Sequence, residues 1–219
     1  MTATKKNISG GVYLVVDPTS LNSDAFCKIR AALDSGLAAI QVWNHWKDIT
    51  AKAEIVNRIT TLADAYSVPV LVNECWELLT ETDADGIHFD RPTDNLQLIR
   101  TAVNRPIITG ITCGNDLCNV QYAIDNQMDY ISFCSVFPSG SANSCEWVKP
   151  ATIAAARAMT DMPIFAAGGI TASNLTSLLH TGLDGIAVIN SIMKAGDPAK
   201  ATTDFNNILQ HQKMTRNAP

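Results

Sequence analysis

Short apolar runs alternate with amphipathic stretches along most of the chain. The runs are rich in Val and Ile and predict β-strands, and the intervening stretches have apolar residues three or four positions apart and predict α-helices. The strands are predicted at Val12–Asp17, Ala39–Trp43, Val70–Asn73, Gly86–Phe89, Ile107–Ile111, Tyr130–Phe133, Ile164–Ala166 and Gly185–Ile189. The helices are predicted at Asp24–Ser35, Ile49–Tyr66, Asp94–Val103, Asp116–Asn126, Thr152–Met159, Ser173–His180 and Pro198–Gln210. Only the interval Glu74–Thr82 is barely long enough for a helix.

A turn pattern repeats ahead of several strands, at Ser35–Ile40, Thr82–Ile87 and Thr181–Ile186, with glycine or an acidic residue in the turn. Repeated helix–strand units with apolar strands are typical of a parallel sheet buried on both faces. Eight units favour an α/β fold closed into a single (β/α)₈ barrel over 1–219, with flexible tails at 1–10 and 211–219. An open doubly wound sheet is the alternative, but no G-x-G-x-x-G follows the first strand.

Composition narrows the classes of partner. The 219 residues carry a net charge of −5, and no run of Lys or Arg is present. This pattern argues against nucleic acid or an anionic membrane as a partner. No apolar run approaches the ~20 residues of a membrane span, and the first residues do not resemble a signal peptide, so a cytoplasmic location is expected. The six cysteines form no C-x-x-C pair, which predicts free thiols.

A pair of glycines marks the candidate ligand site. In a (β/α)₈ barrel, ligands bind where the strands end at their carboxyl side. Gly168-Gly169 follows a predicted strand directly and precedes a helical pattern, and the next strand ends at Asn190-Ser191. Two such strand ends predict a phosphate site, because glycine lets a ligand approach the backbone closely. A tight turn without a ligand is the alternative.

Carboxylates follow two other predicted strands. Glu74 directly terminates the run Val70–Asn73, and Asp90 and Asp94 come just after the next strand. Oxygen ligands from two strand ends can hold Mg²⁺, which commonly also binds substrate phosphates. For Asp94 the alternative is a helix N-terminal residue favoured by the helix dipole. The sequence therefore predicts Mg²⁺ on Glu74, Asp90 and Asp94.

Gln41, Trp43 and His45 occupy alternate positions at the end of the second strand, so they are expected to share one face. An aromatic ring beside polar groups suits an aromatic ligand with a charged tail, and packing of Trp43 in a loop is the alternative.

Two further candidate sites, a zinc site and a ligand-closing loop, each involve several residues. A zinc site could be built from His88 and Cys75, Cys113 and Cys134, for which inert packing is the alternative. The loop after the sixth strand contains Ser139 and Ser141, and it reads either as a ligand-closing segment or as a surface connection.

Several motifs together resemble the thiamine-phosphate synthase and TenI-like family of (β/α)₈ barrels. The resemblance is carried by Gln41-Val42-Trp43-Asn44-His45, Val68-Pro69-Val70-Leu71-Val72-Asn73-Glu74, Ala84-Asp85-Gly86-Ile87-His88, Ser135-Val136-Phe137-Pro138, Ala167-Gly168-Gly169-Ile170-Thr171 and Asp184-Gly185-Ile186-Ala187-Val188-Ile189. It implies a Mg²⁺-assisted transfer that joins a hydroxymethylpyrimidine diphosphate to a thiazole phosphate and releases pyrophosphate. It places thiazole phosphate on Gly168, Gly169, Ile189 and Asn190. It places the pyrimidine and diphosphate on Gln41, Asn73 and Thr112, with Glu74 at a metal-ligand position.

The chain departs from the family pattern where cations are expected. The strand-two motif Gln-x-Arg-x-Lys has Trp43 and His45 at its basic positions, and the family's loop lysine aligns with Ala142. The candidate catalytic residues are Thr112, His45 and His88. A protein that binds a phosphorylated heterocycle without turnover is one alternative function. A TenI-like thiazole tautomerase is another, although its catalytic His aligns near Gly114. Phosphorylated small molecules are the expected ligands, and a homodimer is a further expectation.

Overall fold

Eight parallel strands close into a barrel in the computed structural model of the protein, which describes residues 5–47, 49–138 and 146–216. The strands are β1 (Gly11–Val16), β2 (Ala39–Val42), β3 (Val70–Asn73), β4 (Gly86–Phe89), β5 (Ile108–Thr112), β6 (Tyr130–Phe133), β7 (Ile164–Ala167) and β8 (Gly185–Val188). Each pairs with its neighbour in sequence, and β8 pairs with β1, for example Val12 with Ile186. The prediction of a (β/α)₈ barrel is confirmed.

Helices cover the outside of the barrel and follow the strands in order. They are α1 (Ser23–Asp34), α2 (Lys52–Asp64), α3 (Leu78–Glu81), α4 (Leu96–Val103), α5 (Leu117–Asp125), α6 (Pro150–Met159), α7 (Asn190–Met193) and α8 (Pro198–Arg216). Two 3-10 helices span Pro18–Ser20 and Leu175–Thr181. The second replaces the α-helix predicted at Ser173–His180, and α7 begins where the sequence suggested only a strand end. No helix in the described part of the chain is long and apolar enough to cross a bilayer.

The alternation of side chains along the strands builds two separate cores. Outward residues such as Val12 and Leu14 pack under the helices, whereas inward residues such as Tyr13 fill the barrel. The inner core consists of Ile8, Tyr13, Ala39, Leu71, Ile108, Tyr130 and Phe165. The rings of Tyr13, Tyr130 and Phe165 meet edge to face, with centroids 5.5 to 5.8 Å apart. These rings form a rigid floor beneath the carboxyl ends of the strands.

Gly110 makes room for one of these rings. A Cβ atom at this position would lie 2.1 Å from the Tyr130 ring, a distance no side chain tolerates. Glycine is therefore needed at this inward position of β5, because any larger residue would occupy the space of the Tyr130 ring, which extends from β6 across the barrel. Gly110 thus determines how closely the Tyr130 ring packs in the floor of the barrel.

The amino-terminal segment is anchored in its described part, although the sequence suggested a flexible tail over 1–10. Lys6 Nζ donates to Asp64 at 2.7 Å and to Asp85 at 3.1 Å, and Ile8 is buried in the inner core. Asp85 also accepts the backbone N–H of Val70 at 2.8 Å. At the other end of the chain, α8 continues to Arg216, beyond the predicted end at Gln210.

Candidate functional site

A cavity of about 220 Å³ opens at the carboxyl ends of the strands. Its walls come from β1, β2, β3, β4, β5, β6, β7 and β8, so the whole barrel contributes to it. The lining residues are Tyr13, Val15, Gln41, Trp43, Asn73, His88, Asp90, Thr112, Ser132, Cys134, Ala167, Gly168, Gly169, Ile170, Ala187, Val188, Ile189, Asn190 and Ser191. All substrate-binding candidates within the described residues therefore meet at one cavity, and the candidates Ser139 and Ser141 lie outside the described residues.

The glycine pair forms one end of this cavity. Gly168 and Gly169 have φ of +95° and +65°, in the left-handed region that other residues rarely adopt. A Cβ at Gly169 would lie 2.4 Å from the carbonyl oxygen of Pro138, so the two backbones touch directly. Asn174 Nδ2 holds the turn by donating to the carbonyl oxygen of Gly169 at 2.9 Å. Both glycines are thus required by geometry, and Asn190 lines the same cavity.

Asn73 fixes the polar wall at β3 and β4. Its Nδ2 donates to Asp90 Oδ1 at 2.9 Å and to the carbonyl oxygen of His88 at 3.2 Å. Its Oδ1 accepts the backbone N–H of Asn44 at 3.2 Å. Every polar atom of this buried amide has a partner, so the side chain is held in one orientation. Asp90 is consequently aimed along the cavity wall.

His88 lies inside the barrel with both ring nitrogens engaged. Nδ1 is 2.8 Å from Tyr130 Oη and Nε2 is 2.9 Å from Thr112 Oγ1. Burial lowers the pKa of His88 to about 4, and the nearby charge of Asp90 offsets this only in part. The imidazole is therefore neutral near pH 7, which suits a hydrogen-bonding role better than that of a charged acid.

Of the three predicted metal ligands, Glu74, Asp90 and Asp94, only Asp90 lines the cavity. Glu74 has φ of +60°, which turns its carboxylate back so that Oε1 accepts the backbone N–H of Asp90 at 2.6 Å. Burial, together with the charge of Asp90, raises the pKa of Glu74 despite that hydrogen bond. Asp94 is exposed and does not line the cavity. It does not cap α4 either, because Asn95 occupies the N-cap position and no side chain makes a capping hydrogen bond there.

His45 is turned away from the cavity. Its Nδ1 is 3.1 Å from Asp17 Oδ2, and its ring centroid is 5.1 Å from that of Trp43. Partial burial by itself would raise the pKa of Asp17, but hydrogen bonds from Thr19 and His45 outweigh it and lower that pKa. The prediction that Gln41, Trp43 and His45 share the cavity therefore holds for the first two only. No Lys or Arg occurs among the described residues that line the cavity.

The cysteines are dispersed rather than gathered around His88. Cys113 is buried in the outer core, where burial raises the pKa of its thiol to about 12. The Cys75 thiol donates to Asn44 Oδ1 at 3.0 Å, and Cys134 lines the cavity. Because strand alternation sends Cys113 and His88 to opposite sides of the barrel wall, these residues do not converge on a zinc ion. Within the described residues, no group of three metal-ligating side chains occurs.

Three polar residues of the cavity and its floor were not singled out from the sequence: Tyr13 and Ser132, which line the cavity, and Tyr130, which lies in the inner core beneath it. Each interrupts an apolar strand at an inward position. Polar residues at every second position of a buried strand are the signal that would have found them.

A family model described as thiamine monophosphate synthase matches residues 12–192 of the chain. The chain belongs to this family. A thiamine-phosphate synthase of Thiobacillus denitrificans is 27% identical over 204 residues, which cover 93% of this chain and 97% of that protein. One of Aromatoleum aromaticum is 28% identical over 206 residues, covering 91% of this chain and 96% of that protein. The resemblance inferred from the motifs is thus confirmed.

Solved structures agree with this assignment. A thiamine phosphate pyrophosphorylase from Pyrococcus furiosus superposes with a TM-score of 0.79 at 25% identity, covering 92% of this chain and 96% of that one. A 3-hexulose-6-phosphate synthase from Salmonella typhimurium reaches a TM-score of 0.69 at 19% identity, covers 92% of this chain and 99% of that one, and shares the fold alone. Thiamine monophosphate synthase family enzymes bind phosphorylated thiamine precursors and use Mg²⁺.

Proposed function

We propose that the protein transfers a hydroxymethylpyrimidine group from its diphosphate to a thiazole phosphate and releases pyrophosphate. One observation carries the proposal: residues expected at both substrates line a single cavity. They are Gln41, Asn73 and Thr112 for the pyrimidine diphosphate and Gly168, Gly169, Ile189 and Asn190 for the thiazole phosphate. The full-length similarity to proteins named thiamine-phosphate synthase supports the same reaction.

The cavity gives each part of the substrates a distinct environment. The backbone of Gly168 and Gly169 accommodates the thiazole phosphate, because no side chain stands between it and the ligand. The ring face of Trp43 stacks on the pyrimidine, and the Gln41 amide and Thr112 hydroxyl orient it. The reaction breaks the bond between the pyrimidine methylene and the diphosphate oxygen and forms a bond from the thiazole nitrogen to that methylene carbon. Holding both rings in one small space promotes the transfer by proximity.

Glu74 and Asp90 fit a magnesium ion, whereas Asp94 does not. The backbone N–H of Asp90 donates to Glu74 Oε1, and burial, together with the negative charge of Asp90, raises the pKa of Glu74. Mg²⁺ typically binds one or two protein carboxylates together with substrate phosphates. Mg²⁺ bound there would neutralise charge on the diphosphate. Asn73 supports this arrangement by holding Asp90 Oδ1.

The purified protein, given both precursors and Mg²⁺, should form thiamine phosphate, measured by chromatography and mass spectrometry. Asn73→Ala should abolish the product, because it releases Asp90 and opens the polar wall. Asn57→Ala, on the outer helix α2, serves as the matched control and should leave the rate unchanged. No product at protein concentrations equal to those of the substrates would rule out the transferase.

The double variant Trp43→Arg, His45→Lys tests the missing cations directly. It restores the two basic positions of the family motif, and each charged hydrogen bond to diphosphate contributes about 1.5–3 kcal/mol. We expect a lower KM for the pyrimidine diphosphate, because two charged hydrogen bonds outweigh the stacking of about 0.5–1.5 kcal/mol that is lost with the Trp43 ring, and little change for the thiazole phosphate. An unchanged KM for both would show that these positions do not face the diphosphate.

A second candidate function is the binding of one phosphorylated heterocycle without turnover. Two observations favour it: the described lining contains no Lys or Arg, and about 220 Å³ is small compared with most ligand sites. Calorimetry with thiazole phosphate or thiamine phosphate, in a protein that forms no product, should then show binding. Absence of heat with either ligand would rule this function out.

The tautomerase alternative finds less support. Gly114, at the position of the tautomerase histidine, has no side chain, and the Cys113 thiol is buried away from the cavity. His88 is the remaining proton carrier, and its low pKa disfavours a charged form. A homodimer remains a prediction that sedimentation can test.

A further inference from the structure

A continuous chain of hydrogen bonds crosses the interior of the barrel beneath the cavity. It links side chains from β1, β2, β4, β5 and β6, with donor–acceptor distances of 2.8, 2.9, 2.8, 2.9 and 3.1 Å. In order, its members are Gln41, Tyr13, Tyr130, His88, Thr112 and Ser132. All six line the cavity or its floor, and the proposed reaction assigns direct roles only to Gln41 and Thr112.

The carbonyl oxygen of Gln41 sets the direction of the chain. Tyr13 donates to Gln41 Oε1 at 2.8 Å, and a phenol has one proton, so Tyr13 must accept from Tyr130 at 2.9 Å. Burial raises the pKa of both phenols, so each keeps its proton. The single proton of the Tyr130 hydroxyl is therefore donated to Tyr13. Its oxygen must accept the third hydrogen bond, which comes from the Nδ1–H of His88 at 2.8 Å.

The imidazole of His88 transmits this direction to Thr112. Both ring nitrogens of His88 are bonded to hydroxyl groups, and neither bond is to a carboxylate that would hold a second proton. A neutral imidazole with its proton on Nδ1 has a lone pair on Nε2, so Thr112 donates to it. The Thr112 oxygen is left with acceptor capacity only. The Ser132 hydroxyl lies 3.1 Å from Thr112 Oγ1 and donates to one of its lone pairs. The other lone pair faces the cavity, which Thr112 lines.

We propose that Tyr13 and Tyr130 are positioning residues that act through His88 to fix Thr112 as a hydrogen-bond acceptor toward the cavity. The site then favours a heterocycle that presents an amino or ring N–H group to Thr112 over an analogue with a carbonyl oxygen there. An oxo group would face the lone pairs of Thr112 with no proton between them, which leaves both acceptors unpaired. The ligand part of the inference rests on the proposed function, whereas the orientation of Thr112 does not.

The orientation can be measured without any ligand, by ¹⁵N NMR of protein labelled at histidine. The signals of His88, assigned by their loss in His88→Gln, should show a neutral ring protonated on Nδ1. Tyr13→Phe keeps the ring packing but frees the proton of Tyr130 to donate to Nδ1, so the Nε2–H form should become the main species. Tyr66→Phe is the matched control, because that phenol bonds Asp34 at the surface, and it should leave the spectrum unchanged.

Ligand selectivity provides the second measurement. Wild-type protein should bind a 4-aminopyrimidine alcohol at least about tenfold more tightly than its 4-oxo analogue by calorimetry, and Tyr13→Phe should reduce that ratio severalfold. A His88 ring protonated on Nε2 in the wild type, or a tautomer unmoved by Tyr13→Phe, overturns the proposal. Equal affinities for the two analogues also overturn it. If neither pyrimidine binds, the proposed function fails, and the tautomer alone decides whether the chain positions Thr112.

Discussion

The left-handed turn at Gly169 offers a sharp test of the close backbone contact at the proposed phosphate end of the cavity. Gly169→Ala adds one methyl group, and two separate costs follow from it. An L-residue at φ of +65° costs about 1 kcal/mol relative to glycine. The new Cβ would also lie 2.4 Å from the Pro138 oxygen and 2.9 Å from the Phe137 Cβ, and overpacking of this kind costs about 2 kcal/mol more.

Gly114→Ala separates the two costs because it shares only the first. Gly114 has φ of +62°, nearly the same as Gly169, and nothing lies within 4 Å of the Cβ that alanine would add. Urea denaturation followed by circular dichroism should give a loss of about 1 kcal/mol for Gly114→Ala and about 3 kcal/mol for Gly169→Ala. The difference of about 2 kcal/mol measures the contact with Pro138 alone.

The same pair of variants reports on ligand binding. If the turn holds phosphate, pushing it away from Pro138 should weaken thiazole phosphate binding by about tenfold or more, whereas Gly114→Ala should leave binding unchanged. Equal losses of stability in the two variants would refute the close-approach argument. Normal phosphate affinity in a destabilised Gly169→Ala protein would refute the assignment of phosphate to this turn.

Two further predictions concern stability. Burial lowers the pKa of His88 to about 4, whereas an exposed histidine has a pKa of about 6.5. Below about pH 6.5 the His88 imidazole is therefore mostly protonated in the unfolded chain and mostly neutral in the folded one. Stability from this group is therefore complete above about pH 7.5 and falls by about 2 kcal/mol between that pH and about pH 5. In urea titrations without divalent cations, His88→Gln should remove this slope, and exposed His180→Gln should keep it. Arg105 Nη2 donates to the carbonyl oxygens of Leu79, Thr82 and Ala84, so Arg105→Ala should cost about 2 kcal/mol in urea, whereas exposed Arg30→Ala should cost less than about 0.5 kcal/mol. A loss no larger than that of Arg30→Ala would mean that these carbonyl groups are equally well satisfied by water.

The sequence alone determined the architecture and the place of the site. Period-two alternation in each strand sends one set of residues inward, and that local rule put Gln41, Asn73 and His88 on the cavity side of β2, β3 and β4. The sequence also identified the glycine pair, because only glycine suits a left-handed turn packed against another backbone. Motif spacing was enough to indicate the family, because strand ends recur at fixed positions in a barrel.

Loop geometry limited how well individual site residues could be predicted. His45 lies two residues beyond Trp43, but the strand has already ended at Val42, so alternation no longer governs its direction and it pairs with Asp17. Asp94 does not line the cavity for a similar reason, because it lies in the connection between β4 and α4, which begins only at Leu96. The left-handed backbone at Glu74, which brings its carboxylate to the Asp90 N–H, carries no sequence signal comparable to a glycine.

Only the tertiary structure decided which inward side chains touch. Tyr13 and Tyr130 are 117 residues apart in sequence, and His88 lies between them, yet closure of the barrel joins all three in one hydrogen-bonded chain. The alternation that points each residue inward is a property of a single strand. The height at which two inward residues meet depends on the register of all eight strands together, and a glycine such as Gly110 must be in place before the rings can approach. The sequence therefore determined the barrel and the location of its site, and the collective register determined the hydrogen-bond chemistry inside it.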